Sequence, residues 1–120
     1  LLINREFRLA MGEFIYNFPA GLVDEGEDLD ISAARELREE TGLKLVRIDE
    51  WMKESYSAEG ICDEMGVVCV GVAEGEPIPS PDPVEEIQAA WYTKEEVREL
   101  LQKERFSGRT QMYAYMWAKE

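Results

Sequence analysis

The sequence predicts a mixed α/β fold, and three observations carry the prediction. An amphipathic stretch from Leu29 to Thr41 stops at Gly42, the pattern of a helix ended by glycine. Leu1 to Leu9 and Met65 to Ala73 are apolar-rich runs of strand length. Thr93-Lys94-Glu95-Glu96 is a capping-box pattern that opens a further helix. The 120 residues suffice for one core and are too few for two, so 1–120 reads as a single domain.

Taken in order, the strand from Leu1 to Leu9 turns at Ala10-Met11-Gly12-Glu13 into a short strand, Phe14 to Phe18. Pro19-Ala20-Gly21 breaks that strand ahead of the helix. Leu43 to Tyr56 is strand-like, with Val46, Ile48, Met52 and Tyr56 on one parity as the expected inward face. Ser57 to Glu64 is a loop. The valine-rich run Met65 to Ala73 suits a central strand buried on both faces. Four prolines between Gly75 and Pro83 exclude a sheet interior and predict an extended surface loop, a stiff connector rather than a PxxP docking site. Glu85 to Tyr92 reads as the last strand. The helix opened at Thr93 should run to about Glu104 with Val97, Leu100 and Leu101 inward, and Gly108 to Lys119 forms a final helix. Its Met112, Tyr115 and Met116 make an apolar stripe expected to face the core.

A net charge of −13 and an isoelectric point near 4.4 argue against a protein that grips nucleic acid or an anionic membrane through a basic surface. No stretch approaches the roughly 18 apolar residues of a membrane span, and no signal peptide is visible. Cys62 and Cys69 form no disulfide framework and no metal-ligand spacing, so a reducing, cytoplasmic setting is the expectation. The chain opens at Leu1-Leu2-Ile3, without methionine and apparently in mid-strand, which suggests a missing N-terminal segment.

The chemistry lies in the first helix. Glu36, Glu39 and Glu40 stand at i, i+3 and i+4, within a sector about 100° wide. Ala33, Ala34, Leu37 and Thr41 fill the neighbouring sector, which can pack on a core. Like charges at this spacing cost about 0.2–0.5 kcal/mol per pair, so something cationic should offset them. Arg35 reaches Glu39 at i+4, but one guanidinium cannot neutralise three carboxylates and Glu27 besides. Hard oxygen ligands without imidazole or thiolate suit Mg²⁺ or Mn²⁺. Alone, such an acidic run would fit a solvated surface helix.

The whole string decides otherwise. Gly21, five residues, Glu27, seven residues, Arg35-Glu36-Leu37, one residue, Glu39-Glu40, one residue and Gly42-Leu43 reproduce every fixed position of the Nudix box. The stretch resembles the loop–helix–loop of the Nudix hydrolases, which usually cleave a nucleoside diphosphate linked to another moiety. Arg5-Glu6-Phe7-Arg8 with Asn17-Phe18-Pro19-Ala20-Gly21 is similar to the "Q-Y-R … E-x-P-A-G" lead-in of the ADP-ribose and nucleoside-diphosphate-sugar pyrophosphatases. Residues 56–64, YSAEGICDE, resemble their "Y-x-S-P-G-x-x-x-E" loop, although Ala58-Glu59 stands where that loop has Ser-Pro, and in the lead-in Glu6 replaces the usual Gln.

The resemblance implies an α/β/α sandwich with a mixed sheet, and a site in named positions. Divalent ions would be held by Glu36, Glu40 and Glu39 with the Ala20 carbonyl, and Glu27 would support the cluster directly or through water. Arg35 would orient the glutamates. Glu64 matches the loop general base, with Glu39 the alternative, while Arg5 and Arg8 would contact phosphate or adenine. The implied reaction is metal-dependent hydrolysis of the diphosphate of ADP-ribose or a related sugar, a small-molecule partner. Nucleoside triphosphates or dinucleoside polyphosphates are the alternative substrates, and a non-catalytic ADP-ribose sensor is the alternative to an enzyme. A homodimer is expected because Leu1, Leu2 and Ile3 would be costly to expose together.

Overall fold

The computed structural model describes residues 1–23, 25–78 and 87–120. Eight elements follow the expected order: β1 (Leu2–Arg8), β2 (Glu13–Asn17), α1 (Leu29–Thr41), β3 (Lys44–Tyr56), β4 (Met65–Glu74), β5 (Ile87–Trp91), α2 (Lys94–Lys103) and α3 (Gly108–Lys119). The α/β class is as the sequence predicts. The ladders form two antiparallel sheets, β2-β1-β5 and β3-β4, and a single bridge from Tyr16 to Phe106 is parallel. The expected loop over Gly75 to Pro83 and the strand from Glu85 fall partly outside the described residues; within them, β5 starts at Ile87.

The main core lies between the three-stranded sheet and the last two helices. Ile3, Tyr16, Val97, Ala114 and Ala118 are buried together, with Leu100, Leu101, Phe106 and Trp117 packed around them. The predicted capping box is formed: Thr93 Oγ1 accepts from Glu96 N at 3.2 Å, and Glu96 Oε1 accepts from Thr93 N at 3.0 Å. Leu1 is tied down as well, its amino group donating to Tyr92 O at 2.8 Å while Tyr92 N donates back to Leu1 O at 2.9 Å. Ile3 is fully buried and Leu2 half-buried. Leu1 is likewise half-buried, so of these three apolar residues Ile3 alone is fully covered.

Helix α1 is bounded by local chemistry. Asp28 Oδ1 accepts from Asp30 N at 2.9 Å at the N-cap. Gly42 takes φ 79°, the left-handed conformation glycine tolerates, and donates to Arg38 O at 2.8 Å. Ser32 and Thr41 are buried, and Ala33, Ala34 and Leu37 are half-buried beside them. The chain then turns back, and β3 returns beside the helix it has just left. Trp51 Nε1 donates to Asp30 Oδ1 at 2.7 Å, level with the first turn of α1. Five more residues of β3 carry the hairpin past that end of the helix.

Three expectations are corrected. The inward residues of β3 are Leu45, Ile48 and Trp51, whereas Val46, Met52 and Tyr56 are 47%, 42% and 56% exposed. Register shifts between Leu45 and Arg47, Ile48 and Glu50, and Met52 and Ser55 interrupt the strict alternation, so the inward positions recur every third residue. Strand β4 pairs with β3 alone among the described residues and none of its side chains is fully buried, so it is not the central strand expected. On α3 the buried face is Thr110, Ala114 and Ala118, and the stripe of Met112, Tyr115 and Met116 is outward, 65%, 53% and 58% exposed. Small residues let α3 approach its neighbours closely, and the bulky ones cannot share that seam.

Candidate active site

Arg35 is where the acids of α1 and the preceding loop meet. Its Nε donates to Glu27 Oε2 at 3.1 Å and Nη2 to Glu27 Oε1 at 2.8 Å, a two-pronged contact closing the loop onto the helix. Nη1 donates to Glu36 Oε1 at 3.0 Å and to Glu39 Oε2 at 3.2 Å, the latter the i, i+4 pair visible in the sequence. Arg35, Glu27 and Glu36 keep only 23%, 17% and 21% of their side-chain surfaces in solvent, against 57% for Glu39. Shielding from water strengthens the first two pairs relative to the third.

The loop that brings Glu27 in also presses on Glu36. A Cβ at Gly21 would overlap the Glu36 carboxylate, so any side chain there would push Glu36 away from the loop. Glu40 is half-buried on the same helix, and one of its carboxylate oxygens is shut off from solvent. Ala20 is exposed at the head of the loop.

These donors suit a divalent cation in kind: carboxylates at Glu36, Glu39 and Glu40, a backbone carbonyl at the exposed Ala20, and neither nitrogen nor sulfur. Glu36 and Glu39 each give one oxygen to Arg35 and keep the second outside that bond, whereas both oxygens of Glu27 go to the guanidinium. Among the described residues no three acids form a ready-made cage in this side-chain arrangement; their common counter-charge is Arg35. Glu27 thus reaches the cluster through Arg35.

The other predicted residues lie elsewhere. The Arg5 guanidinium stacks over the Phe14 ring, 3.6 Å from its centroid, and Arg8 Nη1 donates to Glu6 Oε1 at 2.6 Å. Asn17 Nδ2 donates to the other Glu6 oxygen at 3.4 Å, so a polar chain Arg8–Glu6–Asn17 crosses from β1 to the strand that leads into the Pro19–Gly21 loop. Glu64 is exposed at the end of the β3–β4 loop, where its carbonyl accepts from Ser57 N at 2.9 Å; it does not join the Arg35 cluster.

Sequence reasoning missed three groups. Asn4 faces Asn17 across the ladder and is fully buried, a polar residue inside a strand that periodicity alone treats as apolar. Asp30 and Trp51 clamp α1 to β3, a pairing across 21 residues with no local signal. Arg109 donates from Nη2 to Ser55 Oγ at 3.2 Å and Ser55 O at 3.4 Å, across 54 residues. Outside the site, burial pushes the Cys69 thiol above its ordinary value, with the Asp30 carboxylate adding to the shift.

Similarity to known proteins agrees with this architecture. The chain is 43% identical over 44 residues to an ADP-sugar pyrophosphatase of Mus musculus, a match covering 37% of this chain and 20% of the relative. It is 48% identical over 42 residues to an ADP-ribose pyrophosphatase of Saccharomyces cerevisiae, covering 35% of this chain and 18% of the relative. The chain thus spans about a fifth of the length of these relatives. A crystal structure of an ADP compounds hydrolase superposes with a TM-score of 0.75 at 22% identity over 99% of this chain and 66% of that one, which shows a shared fold. No described helix is long and apolar enough to cross a membrane. The NUDIX domain pattern matches residues 1–115, the stretch that holds both sheets, the Arg35 cluster and the Gly21 loop, and the chain belongs to the Nudix family.

Proposed function

We propose that this domain hydrolyses the diphosphate bond of a nucleoside diphosphate sugar, ADP-ribose first among them, with a divalent cation bound on α1. The observation that carries the reading is the convergence of Glu27, Glu36 and Glu39 on Arg35, with the Gly21 backbone laid against Glu36. An arrangement meant only for solubility has no need to bring an acidic loop onto an acidic helix, where like charges oppose each other. The pyrophosphatase relatives support the substrate class, and Nudix hydrolases generally use divalent metal ions.

Glu36, Glu39 and Glu40 would hold Mg²⁺ or Mn²⁺ together with the Ala20 carbonyl. Such an ion neutralises diphosphate oxygens and makes a water more acidic. Arg35 holds Glu36 and Glu39 in place through one oxygen each, and Glu27 holds Arg35 in turn. Water attacks one phosphorus and the bridging P–O bond breaks, so ADP-ribose gives AMP and ribose 5-phosphate. The proton from water passes to a carboxylate, Glu64 if the 57–64 loop closes over the site and Glu39 if it does not. Arg5 and Arg8 remain candidates for substrate contact once they leave Phe14 and Glu6.

A panel of ADP-ribose, other nucleotide sugars, nucleoside triphosphates and dinucleoside polyphosphates, scored by kcat/KM, tests this. ADP-ribose should lead, a chelator should abolish turnover, and Mg²⁺ or Mn²⁺ should restore it. Glu40→Gln should cost at least about 100-fold in kcat, about 2.7 kcal/mol in the barrier, with the fold intact. Turnover in metal-free buffer, or wild-type rates in Glu40→Gln, would remove the mechanism; preference for a triphosphate would move the substrate class.

A further inference from the structure

The loop that lies against Glu36 and the loop that carries Glu64 are held from one place. Strand β2 ends at Asn17, and the next backbone N–H, that of Phe18, donates to Thr110 Oγ1 at 3.1 Å. The Phe18 ring meets Tyr113 edge-on with centroids 5.6 Å apart. Only Pro19 and Ala20 separate Phe18 from Gly21, the residue against Glu36. On the other side, Arg109 Nη2 donates to Ser55 Oγ and O near the end of β3. The same guanidinium lies over Gly66 at the start of β4, where a Cβ would come within 2.9 Å of Nη1. Ser55 and Gly66 are register partners and flank the 57–64 loop. Arg109, Thr110 and Tyr113 all belong to the first six residues of α3, whose entry is itself fixed by Ser107 N donating to Tyr16 O at 3.1 Å and Ser107 Oγ to Thr110 Oγ1 at 3.0 Å.

We propose that the start of α3 is a positioning junction for the candidate site, in which Arg109 sets the 57–64 loop and Thr110 sets the Pro19–Gly21 loop against a common support. Neither residue touches the α1 acids. Thr110 is buried and its hydroxyl is committed on both sides, so it is the fixed half. Arg109 is exposed, reaches the hairpin by side-chain hydrogen bonds alone, and is the half that can release. Gly66 has a use on this view: it is the one position on β4 whose missing side chain leaves a seat for the guanidinium.

The proposal rests on the hydrolase reading for its consequence and on geometry alone for its existence, so the experiment has two readouts. The first is amide hydrogen exchange in Arg109→Ala and in Gly66→Val, which remove the contact from opposite sides. Valine is a favoured strand residue, so Gly66→Val unseats Arg109 without weakening β4 through propensity. Exchange at Ser57, Ile61 and Cys62, whose N–H groups are bonded within the loop, should rise about three- to tenfold in both variants, while α2 and the rest of α3 keep their protection. The second readout is kinetic. Arg109→Ala should lower kcat by about tenfold or more through misplacement of the loop, and the Mg²⁺ concentration for half-activation should stay within about twofold because α1 is untouched. Arg109→Lys, which keeps the charge but not the planar guanidinium that lies over Gly66, should recover only part. Unchanged loop exchange in both single variants overturns the junction. Raised exchange with unchanged kcat overturns its positioning role. A wild-type protein inactive on every substrate would count against the hydrolase reading, and the exchange result would still decide the junction.

Discussion

Replacing Arg35 with alanine tests whether the acidic cluster is held together as the structure has it. The substitution removes two hydrogen bonds to Glu27, one to Glu36, one to Glu39 and a long one to the Leu22 carbonyl at 3.5 Å. The Glu39 pair is mostly exposed and contributes about 0–1 kcal/mol. The Glu27 and Glu36 contacts lie in side chains less than a quarter exposed, where charged hydrogen bonds contribute about 1.5–3 kcal/mol each before desolvation is offset. Unscreened repulsion among the remaining acids adds a few tenths per pair, about 0.2–0.5 kcal/mol. A net loss of about 3 kcal/mol follows, and at about 4 °C per kcal/mol for a domain of this size the midpoint of thermal unfolding should fall by about 12 °C. The assay is thermal unfolding by circular dichroism in chelator-treated buffer, repeated with saturating Mg²⁺. Part of the loss should return with Mg²⁺, because a cation can screen the same carboxylates, and Arg35→Lys should recover less than half in its absence. A fall of less than about 1 kcal/mol in chelator would refute the argument, since the cluster would then behave as a set of ordinary surface pairs.

Three further outcomes follow from the geometry. Gly21→Ala should displace Glu36 and lower kcat by about tenfold or more at fixed Mg²⁺, with little change in stability if the loop yields; wild-type kinetics would mean the loop does not lie on Glu36 during turnover. Glu64→Gln, measured at saturating Mg²⁺, should cut kcat strongly with KM unchanged if loop closure brings it in, and a loss under about tenfold, or about 1.4 kcal/mol, assigns the base to Glu39 instead. The Thr93 hydrogen bonds hold Glu96 below its ordinary value of 4.5, so its contribution is full above that value and disappears as pH falls through the lowered one. The stability difference between wild type and Glu96→Gln should accordingly be present at neutral pH and close in acid; a gap that persists at the lowest pH would refute the assignment.

What the sequence made legible was local. Helix α1 and its limits follow from Asp28 and Gly42, residues that act on their own neighbours, and the box spacing brings Glu36, Glu39 and Arg35 together within about one turn. The capping box of α2 was legible for the same reason. Glu27 was recognisable as a member of the cluster, but its two-pronged grip on Arg35 depends on how the loop folds back. The face of β3 was misread because bulges are set by pairing with β4, which period-two reasoning on one strand does not contain. The α3 stripe was misread because periodicity names an apolar face but not which of two faces the neighbours leave room for: α3 buries Thr110, Ala114 and Ala118. The Arg109 contact joins positions 54 residues apart and has no signature in either segment.

The hydrogen bond between Trp51 and Asp30 gives this protein an optical handle that needs no label. An indole bonded to a carboxylate on the first turn of the helix that bears the candidate site will change its emission when that helix shifts or the bond is lost. The other two indoles occupy separate surroundings, Trp91 donating to Gly75 O at 2.9 Å and Trp117 lying beneath Lys94. Replacing those two with phenylalanine would leave a single fluorophore reporting on the seam between α1 and the β3–β4 hairpin. Titrations of cation and nucleotide could then be followed in the light of Trp51 alone, at equilibrium and before any bond is broken.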